Sequence, residues 1–225
     1  MSIAPKQALY TEFARVDKAL AHPHRLELLE HAAQGALSVE ALATRCGLSV
    51  ANASQHLRQL REAGLVNATR AGKQVRYVLA DDEVLGLLAA LQQVAQHRRA
   101  EAARVVDAYF NRRDALEPVS RSELVARARG GTVTVLDVRP REEYALGHID
   151  GAIGIPFDEL EARLAELDPA QLVVAYCRGP WCVLSFEAVA LLRDHGFAAR
   201  RLEDGLPEWR AAGLPVAAGL PVAGG

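Results

Sequence analysis

Cys177 and Cys182 stand in the stretch "VVAYCRGPWCVLSFEAV" (residues 173–189), and only one other cysteine, Cys46, occurs among the 225 residues. Three thiols, an odd number, do not make a disulfide framework. In a presumed cytosol, clustered thiols suit reactive or metal-binding chemistry. A β-branched apolar run leads into the loop and a helical pattern leads out of it. Backbone N–H groups of residues 178–182 can converge there as an anion-binding nest, and the N-terminus of the following helix adds positive potential. Both stabilise a thiolate, the form in which cysteine attacks. Arg178 adds a fixed positive charge able to hold an anionic donor.

A strand must carry Cys177 to the edge of a sheet and a helix must start just after Cys182. The second half of the chain supplies such elements in alternation. The strand pattern "TVTVLDV" is followed by helices at about 141–146 and 157–165, the strand "LVVAY", a helix at 183–195, the strand "AARRLE" and a helix at about 206–212. This alternation predicts a parallel sheet covered on both faces. Ser120 and Glu123 form a capping-box pattern that opens this half. The tail "GLPVAAGLPVAGG" is low in complexity and reads as partly disordered.

Residues 118–216 resemble a single rhodanese domain through "LDVRPREEYALGHIDGAIGIP", "VVAYC" and "LEDGLPEWRAAGLPV". The resemblance implies an α/β fold in which Cys177 accepts a sulfane sulfur from thiosulfate or a polysulfide. It also implies that Asp137, Arg139, Glu143 and His148 organise the scaffold around the loop. Many single-domain sulfurtransferases place an arginine five residues after the catalytic cysteine. That position is Cys182 here, which argues against efficient thiosulfate turnover. Related phosphatases and arsenate reductases place the arginine six residues on, where this chain has Val183, so their oxyanion clamp is missing. Two roles are open to Cys182. It attacks the inner sulfur of a Cys177 persulfide, expelling sulfide, or it packs at the helix start. The first needs Cα atoms within about 7 Å.

The first half reads differently. Helical spacing of Leu9, Phe13, Val16 and Leu20 is followed by Pro23 at a first helical position. Then come two short helices with N-cap candidates Ser38 and Ser49, separated by Gly47. "LVNATRAGKQVRYVLA" alternates as a hairpin turning at Gly72, and a helical pattern with Val84, Leu87, Leu91, Val94, Val105 and Tyr109 runs on to about Arg113. Two helices, a tight turn and a basic hairpin resemble the ArsR-type winged-helix repressors. "SVEALATRCGLSVANASQHLRQLREAGLV" and "ATRAGKQVRYVL" carry the likeness. It implies a homodimer that reads an inverted-repeat operator in double-stranded DNA, with half-sites roughly 34 Å apart or a multiple of that. Asn52, Ser54, Gln55, His56 and Arg58 form the solvent side of the recognition helix, and Arg70, Lys73 and Arg76 would meet phosphate from the wing.

Metal and cofactor sites are not expected. The cysteine pair of metal-sensing relatives falls on Ser38 and Glu40, and His97 stands beside Arg98 and Arg99, which repel a cation. Cys46 reads as a small buried hydrophobe, and His22 and His24 as surface residues around Pro23.

Two domains follow: residues 1–113 for DNA binding and dimerisation, a linker at 114–119, and an α/β domain at 120–225. The net charge of −2 hides a split between them. Residues 1–117 hold 15 Lys and Arg against 13 Asp and Glu, whereas the remainder holds 11 against 15. No run of about eighteen apolar residues exists, and "MSIAPKQALYTEFARVDK" lacks the apolar core of a secretory signal, so a cytoplasmic protein without a membrane span is expected. The reading is a repressor that senses reactive sulfur. Its alternatives are a sulfurtransferase with an independently acting DNA-binding half, and a thiol redox sensor.

Overall fold

The computed structural model describes residues 5–72, 74–111 and 118–219, which fall in two compact units, Met1–Gly86 and Leu87–Gly225. In the first, α1 (Pro5–Leu20) and α2 (Pro23–Ala32) precede the short strand β1 (Leu37–Ser38) and the pair α3 (Val39–Arg45) and α4 (Val50–Glu62). Ser38 caps α3 by accepting from Ala41 N at 3.2 Å, and Ser49 caps α4 by accepting from Asn52 N at 3.2 Å. Gly47, with φ of 61°, makes the corner between them, a left-handed conformation that favours glycine. The wing is β2 (Val66–Ala71) paired antiparallel with β3 (Gln74–Leu79). The register closes at the Ala71–Gln74 pair beside the Gly72 turn, and β1 adds a third strand on β3. Leu28, Leu29, Leu42, Ala53, Leu57 and Leu60 are fully buried at the centre of this unit.

The long carboxyl-terminal helix is not continuous. The helix α5 (Asp82–Arg98) stops at Arg99, whose backbone is extended (φ −113°, ψ 106°). Then α6 (Ala100–Val105) begins afresh and passes into one π-helical stretch, Val106–Asn111. No proline or glycine marks the break in the sequence. Among the described residues, Leu9, Tyr10 and Phe13 of α1 and Leu87, Leu91 and Val94 of α5 are exposed.

In the second unit, α7 (Arg121–Arg129) leads to β4 (Val133–Asp137), α8 (Arg141–Leu146), β5 (His148–Ile149), β6 (Ile153–Gly154) and α9 (Phe157–Leu160). The expected helix at 157–165 instead divides into α9 and a 3-10 turn, Glu161–Glu166. β7 (Leu172–Tyr176), α10 (Val183–Asp194), β8 (Ala199–Arg201), α11 (Leu206–Ala211) and β9 (Val216–Ala217) complete it. The sheet runs β6-β4-β7-β8 with every pair parallel, so β7, which delivers Cys177, is central. One apolar layer holds Leu136, Ile155, Val173, Ala188 and Leu192 together with both loop cysteines. A second holds Val119, Leu124, Val174, Tyr176, Leu206 and Trp209.

Two expectations change. Val119, assigned to the linker, is fully buried and exchanges backbone hydrogen bonds with Arg201 (2.8 Å) and Glu203 (2.9 Å) at the sheet edge. Part of the low-complexity tail is ordered too, because Val216 and Ala217 pair antiparallel with Ile149 and His148. Residues 112–117, with most of the expected linker, and 220–225 lie outside the described residues.

The α/β unit encloses an ion pair with no exposed surface. Arg139 Nη2 lies 2.5 Å from Asp137 Oδ2, its Nε 3.0 Å from Oδ1, and Nη2 also donates to Gly147 O at 2.7 Å. Tyr176 Oη donates to Asp137 Oδ2 (2.6 Å) and accepts from Ile149 N (2.9 Å). Burial lowers the Arg139 pKa, but the Asp137 carboxylate more than reverses it, so the guanidinium stays charged above the ordinary arginine value. Asp137→Asn leaves that buried charge without its counter-ion. We expect a loss of about 3–5 kcal/mol in the urea unfolding of this unit, with β4 and β7 sharing the transition.

Candidate functional site

The loop 177–182 is fixed from four sides. Leu206 N donates to Cys177 O at 3.3 Å, and Cys182 N donates to Gly179 O at 3.2 Å. The Arg178 guanidinium forks onto buried Glu143, with Nε and Nη2 at 2.8–3.1 Å from its two carboxylate oxygens. Arg201 lies over the Phe186 ring at 4.3 Å and reaches Pro180 O at 3.5 Å. Gly205 presses on the loop backbone so closely that a Cβ there would sit 2.3 Å from the Arg178 carbonyl carbon and 2.4 Å from Gly179 N.

Cys177 and Cys182 are joined as a disulfide with Cα atoms 6.0 Å apart, and both are buried, at 1% and 5% exposure. Cys182 occupies the N-cap of α10, and Ser185 Oγ donates to its carbonyl at 2.9 Å. The positive end of a twelve-residue helix therefore faces the pair. The nest is smaller than expected. Pro180 has no N–H and that of Cys182 is turned to Gly179, so these two positions give an anion no backbone donor. Arg178 is drawn toward Glu143, which makes it a strut between α8 and the loop.

His148 supports the same scaffold. Its ring stacks on Tyr144 at 3.8 Å and 5°, and Nδ1 lies 3.0 Å from Tyr144 O. Tyr144 in turn donates to Ala152 O at 2.8 Å. Asp137, Arg139, Glu143 and His148 are thus all buried beneath or beside the loop.

Sequence reasoning missed several contributors. Tyr176 carries the only hydroxyl of its apolar strand directly before Cys177, a signal that was present. Gly205 precedes Leu-Pro at the start of α11, where a glycine is ordinary, so its close approach gave no sign. Trp181 and Phe186 meet Phe110 edge to face, with ring centroids 5.3 and 4.9 Å apart, and Tyr109 Oη lies 3.3 Å from Glu187 Oε1. The end of the π-helical stretch is thereby packed against the two-cysteine loop and α10.

On α4, Asn52, Ser54, Gln55 and Arg58 are exposed, and so are Arg70 and Arg76 on the wing. Lys73 lies outside the described residues. His56 does not face solvent with the others. Positions 53, 56, 57 and 60 repeat at i, i+3, i+4 and i+7, so His56 joins the inward stripe of Ala53, Leu57 and Leu60. Its ring lies 4.5 Å from that of His22 and 6.2 Å from that of His24. His22 in turn caps α2 by accepting from His24 N at 3.2 Å.

The model of the rhodanese-like domain matches residues 120–212 and that of a helix-turn-helix domain matches residues 20–68. The chain is 47% identical over 221 residues to the HTH-type transcriptional regulator Rv0324 of Mycobacterium tuberculosis, spanning 98% of this chain and 96% of that protein. A homodimeric winged helix-turn-helix DNA-binding domain from Mycobacterium bovis, a possible ArsR-family transcriptional regulator, is 40% identical with a TM-score of 0.41. The match covers 45% of this chain and 94% of that fragment. A rhodanese-related protein from Thermoplasma volcanium is 27% identical with a TM-score of 0.41, over 45% of this chain and 98% of the other.

Two outcomes follow from the geometry. Gly205→Ala overfills the space behind the loop. We expect a loss of about 1–3 kcal/mol and slower closure of the Cys177–Cys182 disulfide, read by timed thiol alkylation. Burial first, then the charges near His22, Arg25 and His24, lower the His56 pKa below 6.5. The unfolded chain then takes up a proton before the folded one does. Stability is whole above pH 6.5 and falls as the pH drops from there toward the lowered value. His56→Gln should flatten that acid limb in thermal melts across pH.

Proposed function

The chain belongs to the family of helix-turn-helix transcriptional regulators carrying a C-terminal rhodanese-like domain, and on that premise we propose that it is a cytoplasmic, homodimeric repressor of the ArsR type whose Cys177 reads reactive sulfur. The observation that carries the proposal is the pair of buried sulfurs, already bonded across a Cα separation of 6.0 Å. The Cys177 thiolate attacks a terminal sulfane sulfur of a polysulfide, forming a persulfide and releasing a polysulfide one atom shorter. The Cys182 thiolate then attacks the Cys177 sulfur. The new S–S bond forms as hydrosulfide departs, so the two thiols lose two electrons and the sulfane sulfur gains them. The α10 N-terminus favours the thiolate at each stage.

Coupling to DNA rests on the aromatic contact. Phe110 lies in the last turn of the helical segment that follows α5 in the chain, and it packs on Trp181, the residue next to Cys182. Forming or breaking the loop disulfide repositions residues 178–181 and therefore what Phe110 rests against. The exposed apolar residues of α1 and α5 call for a second copy of the chain, and the exposed face of α4 offers amide and hydroxyl groups to base edges.

Operator affinity of the reduced protein, the polysulfide-treated protein and treated Cys177→Ser, at fixed salt, tests this. Treatment should weaken wild-type binding by about 5- to 150-fold, the range of ordinary allosteric coupling, and spare the variant. Equal affinity in all three would overturn the coupling. Thiosulfate:cyanide turnover would then identify a sulfurtransferase. The same loss produced by peroxide, without sulfide release, would identify a thiol redox sensor instead.

A further inference from the structure

Glu27 and His31 stand one helical turn apart on α2, so their side chains leave the same face of the helix. Cys46 is the C-cap of α3, fifteen positions further along the chain. The fold brings these three together. A carboxylate oxygen, an imidazole nitrogen and the thiol sulfur all lie within 4.8 Å of one another. His31 and Cys46 are 6% and 7% exposed, while Glu27 is half-buried and open to one side, where His24 Nδ1 approaches its Oε2 at 3.5 Å.

We propose that Glu27, His31 and Cys46 form a zinc site. One sulfur, one nitrogen and one oxygen donor is a set that Zn2+ accepts, with three protein ligands and a fourth position left for water or a small ligand. Calcium and magnesium prefer all-oxygen shells, and the softest ions prefer several thiolates, so neither class fits this mixture as well. Ligand bonds of about 2.0–2.3 Å place tetrahedral donors roughly 3.5 Å apart. From within 4.8 Å, closing the triad to that size asks the donors to approach by at most about 1.3 Å. On binding, the Cys46 thiol gives its proton to solvent and donates as thiolate; no electron is transferred.

The location gives the ion a consequence. Cys46 directly precedes Gly47, the corner from which α4 departs one turn later. An ion held between α2 and this corner fixes the recognition helix to the rest of its unit. The positions that resemblance with metal-sensing relatives would suggest, 38 and 40, take no part, and neither does His97. The site also shares no residue with the two-cysteine loop, so it stands apart from the sulfur reading.

The test uses the full chain with Cys177→Ser and Cys182→Ser, which removes the competing thiols. The protein is stripped with chelator, kept under a phosphine reductant and titrated with Co2+. We expect one Co2+ per chain, visible bands of tetrahedral intensity, a sulfur-to-cobalt charge-transfer band in the near ultraviolet, displacement by Zn2+, and a higher Tm in the loaded protein. Cys46→Ser should abolish the charge-transfer band. Glu27→Gln should weaken binding at least about tenfold, since even groups that merely support a ligand commonly contribute that much. Absence of stoichiometric binding, or a charge-transfer band that survives Cys46→Ser, overturns the proposal. Should Cys46→Ser fail to fold by circular dichroism, undiminished affinity in both Glu27→Gln and His31→Gln overturns it equally.

Discussion

The buried Asp137–Arg139 pair is the constraint around which the sulfur-bearing unit is arranged. A charge withdrawn from water must be answered at every donor and acceptor, and here the answers come from separate elements. Asp137 ends β4, Tyr176 ends β7, and Gly147 and Ile149 lie on the segment between α8 and β6. Satisfying one carboxylate and one guanidinium therefore fixes the C-terminal ends of the two central strands against each other. Cys177 is the next residue along. Its position follows from a network in which it takes no part.

The loop itself is held by few flexible contacts and several rigid ones. Glu143 is buried and keeps Arg178 from swinging, Gly205 removes the volume into which the backbone could relax, and Phe110 covers Trp181. A site held in this way changes conformation between discrete arrangements, because packed surroundings do not deform by degrees. This is the physical property a switch requires. The DNA-facing unit has a matching economy. The hydroxyl caps at Ser38 and Ser49 set where α3 and α4 begin, and the tight corner at Gly47 sets their angle.

What could be read in the sequence was mostly local. The caps at Ser38, Ser49 and Ser120, the Gly72 hairpin and the alternation of β4, β7 and β8 with helices depend on neighbours within a few residues, and each is present. The two thiols were legible for the same reason. The helix break at Arg99 and the division of 157–166 were not, since no residue type announces either. His56 was assigned outward because it is polar, although its place in the stripe with Leu57 and Leu60 points inward. Val119 looked like a linker because a single buried residue leaves no periodicity. Glu27, His31 and Cys46 could be joined only by knowing how α2 meets the end of α3.

The burial of the disulfide bears on time as well as on chemistry. Exchange requires a thiolate to approach a sulfur along the S–S axis, and Cys177 and Cys182 expose almost none of theirs. Bulky protein thiols have no approach; small thiols enter only when the loop opens. The lifetime of the oxidised state then depends on how often the loop opens as well as on the reductant outside. On the proposed reading, a brief exposure to sulfur would leave a mark that outlasts it, a short chemical memory kept by the walls of the loop.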